Sequence, residues 1–291
     1  MIGKRHTLGS LMADGTLRLQ QAGCDTPRLD ARLLLSAATG MDSGRIMAFT
    51  DETVEDAQVT IFDALIDRRR AREPVSRILG RRDFWRYSFA LNEATLDPRP
   101  DSETLVAWCI EKITAMGGQR WLVDFGTGTG CLLLSVLADV PDATGMAIDI
   151  SPRAIDCARD NAVALGVDGR CDFYVSDWDA SLPSGHVCHN FDAVISNPPY
   201  IARPEMAGLS AEVRDYDPEI ALTDGADGLS AYRILARVAY ERLRPGGFVM
   251  FEIGRGQEAD VSALLEQAGF AGIAYRKDLG GIIRCVAADK P

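Results

Sequence analysis

Four consecutive residues, Asn197-Pro198-Pro199-Tyr200, have the types and order needed to hold a flat, hydrogen-bonding group. The prolines lack an N–H and have φ fixed by ring closure. Asn197, standing before a proline, is driven out of the helical region. The apolar, β-branched run ahead of them, Phe191 to Ser196, reads as a strand, so the four residues form a stiff mouth at its end. That mouth offers one side-chain amide, carbonyls with few internal partners and an aromatic ring. Upstream, Asp124-Phe125-Gly126-Thr127-Gly128-Thr129-Gly130 follows one strand and opens a helix. Its glycines permit a tight turn and close approach of a ligand to the helix N-terminus. Asp149 ends the next strand, where a carboxylate can accept hydrogen bonds from both hydroxyls of a ribose. Glycine turn and carboxylate together suit NAD as well as S-adenosylmethionine. Two features favour the latter. The dinucleotide fingerprint needs a third glycine where this chain has Cys131. After the third strand, Asp177 can bond an adenine amino group and Trp178 can stack on the base, at the strand edge where such sheets bind ligands.

These residues need a parallel sheet to bring them together, and from about Trp121 the pattern alternates strand with helix. "WLVDF", "TGMAIDI", "CDFYVS", "FDAVIS" and "GGFVMFEI" read as strands, "CLLLSVLADV" as a helix, and "GFAGIAYRK" with "IIRCVAA" as a terminal hairpin. Ser151 and Pro152 start a helix that Gly166 ends. The expected fold class is α/β, a Rossmann-like domain with a mostly parallel seven-stranded sheet and an antiparallel C-terminal hairpin. Residues 1–83 read as helical. "TPRLDARLLLSAATG" has Thr26 as N-cap, Pro27 in the first turn, Gly40 as stop, and an apolar face of Leu29, Leu33 and Leu34. A second helix fits "DETVEDAQVTIFDALIDRRRAR", with acids first and arginines last. "DFWRYSFALNEATLDP" alternates apolar and polar residues as a short hairpin would. The expected division is a helical domain at 1–83, a hairpin linker at 84–98 and the sheet domain at 99–291.

An apolar fraction of 47% over 291 residues supports a real core. No apolar run approaches the roughly 18 residues of a membrane span, and the first residues lack a secretory pattern, so a cytoplasmic protein is expected. The net charge of −11 is uneven: residues 1–83 carry +1 and the remainder −12. An acidic body repels a phosphate backbone and counts against duplex DNA as a partner. Seven arginines between Arg68 and Arg82 read as a solvated helix end. The seven cysteines are scattered with no C-x-x-C pair, and His186, Cys188 and His189 do not have zinc spacing, so no metal is expected.

With these motifs in place the chain resembles the class I S-adenosylmethionine-dependent methyltransferases. Asn-Pro-Pro-Tyr narrows the resemblance to those acting on planar nitrogens. It is closest to the protein-(glutamine-N5) methyltransferases of peptide chain release factors. "RLDARLLL", "EPVSRILGRRDFW", "PRPDSETLV", "DFGTGTG", "SDW", "SNPPYIA", "DPEIALTDGADGLSAYRIL", "RPGGFVMFEIGRGQ" and "DLGG" look like that family's blocks, in its order. Two positions depart from it: Asp97 stands for an apolar residue and Asp101 for Glu, in a segment (Arg99–Asp101) that borders the cofactor in the family. The resemblance implies S-adenosylmethionine held by Gly126, Thr127, Gly128, Thr129, Gly130, Asp149, Asp177, Trp178 and Asn197. It implies a substrate glutamine of a Gly-Gly-Gln motif bound by Asn197, Pro198, Pro199 and Tyr200. Of these, the Asn197 side-chain oxygen and the Pro198 carbonyl would accept the amide hydrogens, Tyr200 would pack on the amide, and the 1–83 domain would recognise the release factor. Other readings are methylation of a ribosomal-protein glutamine, adenine-N6 methylation of nucleic acid, a nicotinamide dehydrogenase, or a cofactor-binding protein without activity. The chain's own Gly117-Gly118-Gln119 sits in an expected turn and reads as coincidence.

Overall fold

A computed structural model describes residues 6–182 and 189–291. The chain divides into two compact units, residues 1–80 with 211–216, and residues 81–210 with 217–291.

The first unit is helical: α1 (Leu8–Gln21), α2 (Pro27–Thr39), α3 (Ser43–Ala48), α4 (Asp56–Arg70) and α5 (Val75–Leu79). Helix α2 starts at Pro27 and stops at Gly40 in the left-handed conformation. Thr26 does not cap it through its side chain; its hydroxyl bonds the Asp30 carboxylate instead, at 2.8 Å. The buried face of α2 is also rotated from the expected one. Leu29 is 42% exposed, while Ala31, Leu34, Leu35 and Ala38 enter the core. Helices α1 and α4 approach closely at Gly15, where an added Cβ would lie 2.7 Å from Phe62 Cζ. The space beside this glycine is already occupied by an aromatic ring.

The arginine run is not a solvated face throughout. Arg69 is only 6% exposed and bonds Asp30, itself 5% exposed, at 2.7 Å. Glu212, from the turn of helix at Ala211–Arg214, bonds both Arg69 (3.3 Å) and Arg72 (2.6 Å). Tyr216 donates its hydroxyl to the Ala71 carbonyl. Residues distant in sequence thus complete a buried ion cluster that helical periodicity could not reveal. Arg68 pairs with Glu73 and Arg70 with Asp67, both on the surface.

The second unit opens with a hairpin, β1 (Arg81–Phe84) and β2 (Tyr87–Ala90), somewhat earlier than the expected 84–98. It is bound to its own unit: Trp85 and Tyr87 both donate to Asp139, and the Ala90 N–H donates to Asn161. After α6 (Glu103–Met116) come β3 (Arg120–Phe125), α7 (Cys131–Asp139), β4 (Ala143–Asp149), α8 (Pro152–Leu165), β5 (Cys171–Val175) and β6 (Phe191–Ser196). A helix at Ser230–Arg242 (α9), β7 (Leu243–Glu252), a helix at Glu258–Ala268 (α10), β8 (Ala271–Lys277) and β9 (Ile283–Asp289) complete it. The seven strands lie in the order β5-β4-β3-β6-β7-β9-β8. Strands β3 to β7 pair in parallel, and β9 runs antiparallel to β7 and β8. Every residue of β6 is buried, as helices on both faces require. The chain moves outward from β3 to β5 and then crosses to β6 on the other side of β3, which leaves a crevice at the strands' C-terminal ends.

The ion cluster of the first unit gives a test. Arg69→Ala leaves Asp30 buried without its cation, while Glu212 keeps Arg72, so unfolding should become easier by about 3 kcal/mol. Urea denaturation checks this, and a midpoint like that of the wild type would show the cluster contributes little.

Candidate active site

The strand ends assemble the site. Strands β3, β4, β5 and β6 finish at Phe125, Asp149, Val175 and Ser196. The glycine turn, Ile150, Ser176–Trp178 and Asn197 therefore meet at one edge. They line a cavity of about 360 Å³. Of the residues singled out in the sequence, Gly126, Thr127, Gly128, Thr129, Asp149, Asp177, Trp178, Asn197 and Pro199 line it. Gly130, Pro198 and Tyr200 do not. Gly130 caps α7 at φ +80°, with Leu134 Cδ1 only 2.6 Å from where a Cβ would stand, so it serves close packing of turn and helix. Pro198 is buried, and Tyr200 packs on the core that also holds Phe251 and Ile253.

The turn is held from below. The N–H groups of Gly126 and Thr127 both donate to the Ile148 carbonyl, at 2.9 Å. Thr127 donates its hydroxyl to Asp124 at 2.7 Å. Asp124 is fully buried with Oδ1 unpartnered. Burial pushes its pKa up to about 7, against the bond from Thr127 and helped by the negative charge of Asp149. Asp149 accepts the Gly128 N–H at one oxygen and the Ser151 N–H at the other, both at 2.9 Å. Each oxygen keeps acceptor capacity toward the cavity, since a carboxylate has about four lone-pair sites. Trp178 has φ of +48°, rare for a bulky residue, and its ring lies beside Gly126.

The mouth is anchored at both ends. Asn197 donates from Nδ2 to Ser102 Oγ at 3.3 Å. Among the described residues no hydrogen bond occupies its Oδ1 or the Pro198 carbonyl. Gln257 donates to the Tyr200 carbonyl at 3.0 Å, and Ile201 donates to the Leu222 carbonyl at 3.0 Å. Asp224 accepts the N–H groups of Ala226, Gly228 and Ser230, and so shapes the loop opposite.

Sequence reasoning missed part of the lining. Pro98, Arg99 and Ser102 contribute, in the segment where Asp97 and Asp101 depart from the family pattern. Arg99 bonds Asp217, while Asp101 pairs with Arg284. Ile220, Thr223, Asp224 and Ile234 also line the cavity, and "DPEIALTDGADGLSAYRIL" was the available signal for them. The charged lining residues are Arg99 against Asp149, Asp177 and Asp224, an excess of negative charge. Among the described residues no cluster of His, Cys, Asp and Glu could hold a metal, and His186 and Cys188 lie outside them. His189 lies 2.9 Å from an Arg242 nitrogen. No helix among the described residues is long and apolar enough to cross a membrane.

Comparison with known proteins agrees with this arrangement. The family model described as "PrmC N-terminal domain" matches residues 10–80, and that of the "Methyltransferase small domain" matches 102–211. A release factor glutamine methyltransferase of Rhodospirillum rubrum is 46% identical over 97% of this chain and 84% of its own length. One from Cereibacter sphaeroides is 42% identical over 94% of this chain and 95% of its own. Among solved structures, the hMettl16 catalytic domain in complex with MAT2A 3'UTR hairpin 6 superposes with a TM-score of 0.54. It is 15% identical and covers 69% of this chain and 74% of that one, a likeness of fold alone. The chain is a class I methyltransferase and belongs to the release factor glutamine methyltransferase family.

Proposed function

We propose that this protein methylates the side-chain amide nitrogen (N5) of the glutamine in the Gly-Gly-Gln motif of peptide chain release factors, with S-adenosylmethionine as donor, in the cytoplasm. The observation that carries this is an adjacency. A cavity rich in carboxylates lies against Asn197, whose Oδ1 carries no other hydrogen bond.

The residues present fit S-adenosylmethionine. Asp149 has acceptor sites left for ribose hydroxyls, Asp177 and Trp178 stand where an adenine can be bonded and stacked, and Gly126 and Gly128 allow close backbone approach. The excess of negative charge suits a sulfonium and opposes the pyrophosphate of NAD. When bound, S-adenosylmethionine supplies a methyl group made electrophilic by the positive sulfur that carries it. The amide nitrogen is a poor nucleophile, its lone pair being delocalised, so the protein must chiefly aim it and exclude water. Asn197 Oδ1 and the Pro198 carbonyl accept its two hydrogens. This fixes its direction and favours the positive charge that develops on nitrogen. Pro199 lines the cavity next to Asn197, and Tyr200 supports the loop from its core side. The loop holds no His, Cys or Lys, so the proton leaves to water after transfer.

The helical segment 1–83 serves substrate recognition. Residues 1–83 carry +1 against −12 for the rest, and they contain none of the residues that line the cavity. A glutamine in a cleft is too small a surface for specific association of two folded proteins.

Three outcomes are expected. Asp149→Ala and Trp178→Ala should each weaken S-adenosylmethionine binding about tenfold or more by calorimetry, from lost charge-assisted hydrogen bonds and lost stacking. Unchanged affinity in both would remove this cofactor site. Asn197→Ala should lower turnover on the order of 10²–10³-fold while the donor still binds. Near-normal methylation of release factor by that variant would sink the role of the loop. A protein beginning at Arg81, shown folded by circular dichroism, should lose far more rate on intact release factor than on a short Gly-Gly-Gln peptide. Equal losses would mean that the first unit only supports the fold.

A further inference from the structure

The chain carries, away from the cavity, the tripeptide on which that cavity is proposed to act. Of its six glutamines only Gln119 follows two glycines, in the turn between α6 and β3. The turn displays all three residues. Gly117, Gly118 and Gln119 are exposed, and nothing lies within 4 Å of where a Cβ would stand on either glycine. Both glycines have positive φ, +63° and +68°, a conformation in which other residues are strained. Among the described residues the Gln119 side chain has no hydrogen-bond partner. The turn is held at both ends. The Gly117 N–H donates to the Thr114 carbonyl at 3.2 Å. On the strand side, the Arg120 guanidinium donates to the Met116 carbonyl at 2.7 Å and to Asp192 at 3.2 Å. Its main-chain N–H donates to the Asp142 carbonyl at 3.3 Å. A fixed loop thus presents one free carboxamide to solvent.

The loop lies at the wrong end of the sheet for the chain's own cavity. Gln119 precedes the first residue of β3, and Gly126 follows the last of its six. At about 3.3 Å per residue the strand separates them by roughly 20 Å, several times the reach of a glutamine side chain. A second copy of the chain has no such restriction. To its mouth the loop offers a planar amide with both hydrogens unclaimed, the groups that Asn197 Oδ1 and the Pro198 carbonyl accept. The two residues ahead of that amide have no Cβ to strike the stiff proline segment, so the backbone can come close.

We propose that Gln119 is a modification site, methylated by the cavity of a second copy of this protein. The Gln119 side-chain nitrogen attacks the methyl carbon of S-adenosylmethionine. The N–C bond forms as the S–C bond breaks, which leaves S-adenosylhomocysteine, a neutral thioether. The surplus proton on nitrogen goes to water. This rests on the proposed methylation of glutamine and extends it to the chain itself. Gln119 lacks the distant contacts of a release factor, so it reacts as a short peptide does, more slowly than that protein.

The test uses full-length protein. A tagged Asn197→Ala copy, deprived of its own turnover, serves as acceptor for untagged wild type and S-adenosylmethionine, with release factor as a parallel substrate. In the tagged copy the tryptic peptide 113–120, whose one glutamine is Gln119, should gain the mass of one CH₂. Its rate should lie within about tenfold of that on a free Gly-Gly-Gln peptide at equal concentration. Gln20 and Gln21, exposed but without the glycines, should stay unmodified. A tagged copy that also carries Gln119→Glu should gain nothing. The single variant Gln119→Glu changes an exposed turn, so it should methylate release factor within about twofold of the wild-type rate. Binding is measured without methyl transfer. A synthetic 113–120 peptide should displace a fluorescent Gly-Gly-Gln peptide from wild type, and its Gln119→Glu form should need about tenfold more. Unmodified Gln119 beside methylated release factor would overturn the inference and leave the proposed function standing. Methyl groups spread over Gln20 and Gln21, or equal displacement by both peptides, would also overturn it. No methyl group on either substrate would overturn the glutamine reading itself, and this inference with it.

Discussion

One buried hydrogen bond joins the two halves of the site. Ser196, the last residue of β6, donates its hydroxyl to the carbonyl of Phe125, the last residue of β3, at 2.6 Å. The next residue along one strand is Asn197, and along the other it is Gly126. Both groups are shut away from water, so breaking the bond would leave a carbonyl and a hydroxyl unsatisfied in the core. The parallel pairing of Leu122, Val123 and Asp124 with Ala193, Val194 and Ile195 sets the same register over the preceding residues. Donor turn and acceptor mouth are thus held in a common frame, although 71 residues separate their strand ends. Chemistry that depends on aim requires such a frame.

Much of the catalytic unit could be read from the sequence because its determinants are local. Glycines at alternate positions after a strand, a carboxylate at the next strand's end, and two prolines after a third each leave a mark within a few residues. What could not be read is tertiary. Glu252 is hidden in an apolar strand, and nothing in "FVMFEI" tells that its side chain lies under a loop some fifty residues earlier. Gly130 looks like its neighbours in the turn, yet its space is taken by Leu134 rather than left for a ligand. The face of α2 is hard to place from apolar positions because the helix also buries a polar residue, Asp30. Its partner Arg69 is hidden among surface arginines for the same reason.

Two buried carboxylates, Asp124 on β3 and Glu252 at the end of β7, are raised by burial into the neutral range. Each touches a segment that must keep its shape: Asp124 the glycine turn through Thr127, Glu252 the mouth through the Tyr200 hydroxyl. The fold accepts a cost in stability at these points, where precision matters most, as strained or polar groups at functional sites commonly do.

The ion cluster of the first unit bears on how the chain is made. Arg69 can meet Asp30 as soon as both have left the ribosome, but Glu212 is 143 residues behind Arg69. At synthesis rates of roughly 5–20 residues per second, about 7–30 s pass before that carboxylate emerges. During this interval the helices can gather around Phe62 and Leu34 with one of the cluster's acids still to come. The first unit therefore finishes folding late in translation, and its last contact arrives only after the Asn197 mouth has also been synthesised.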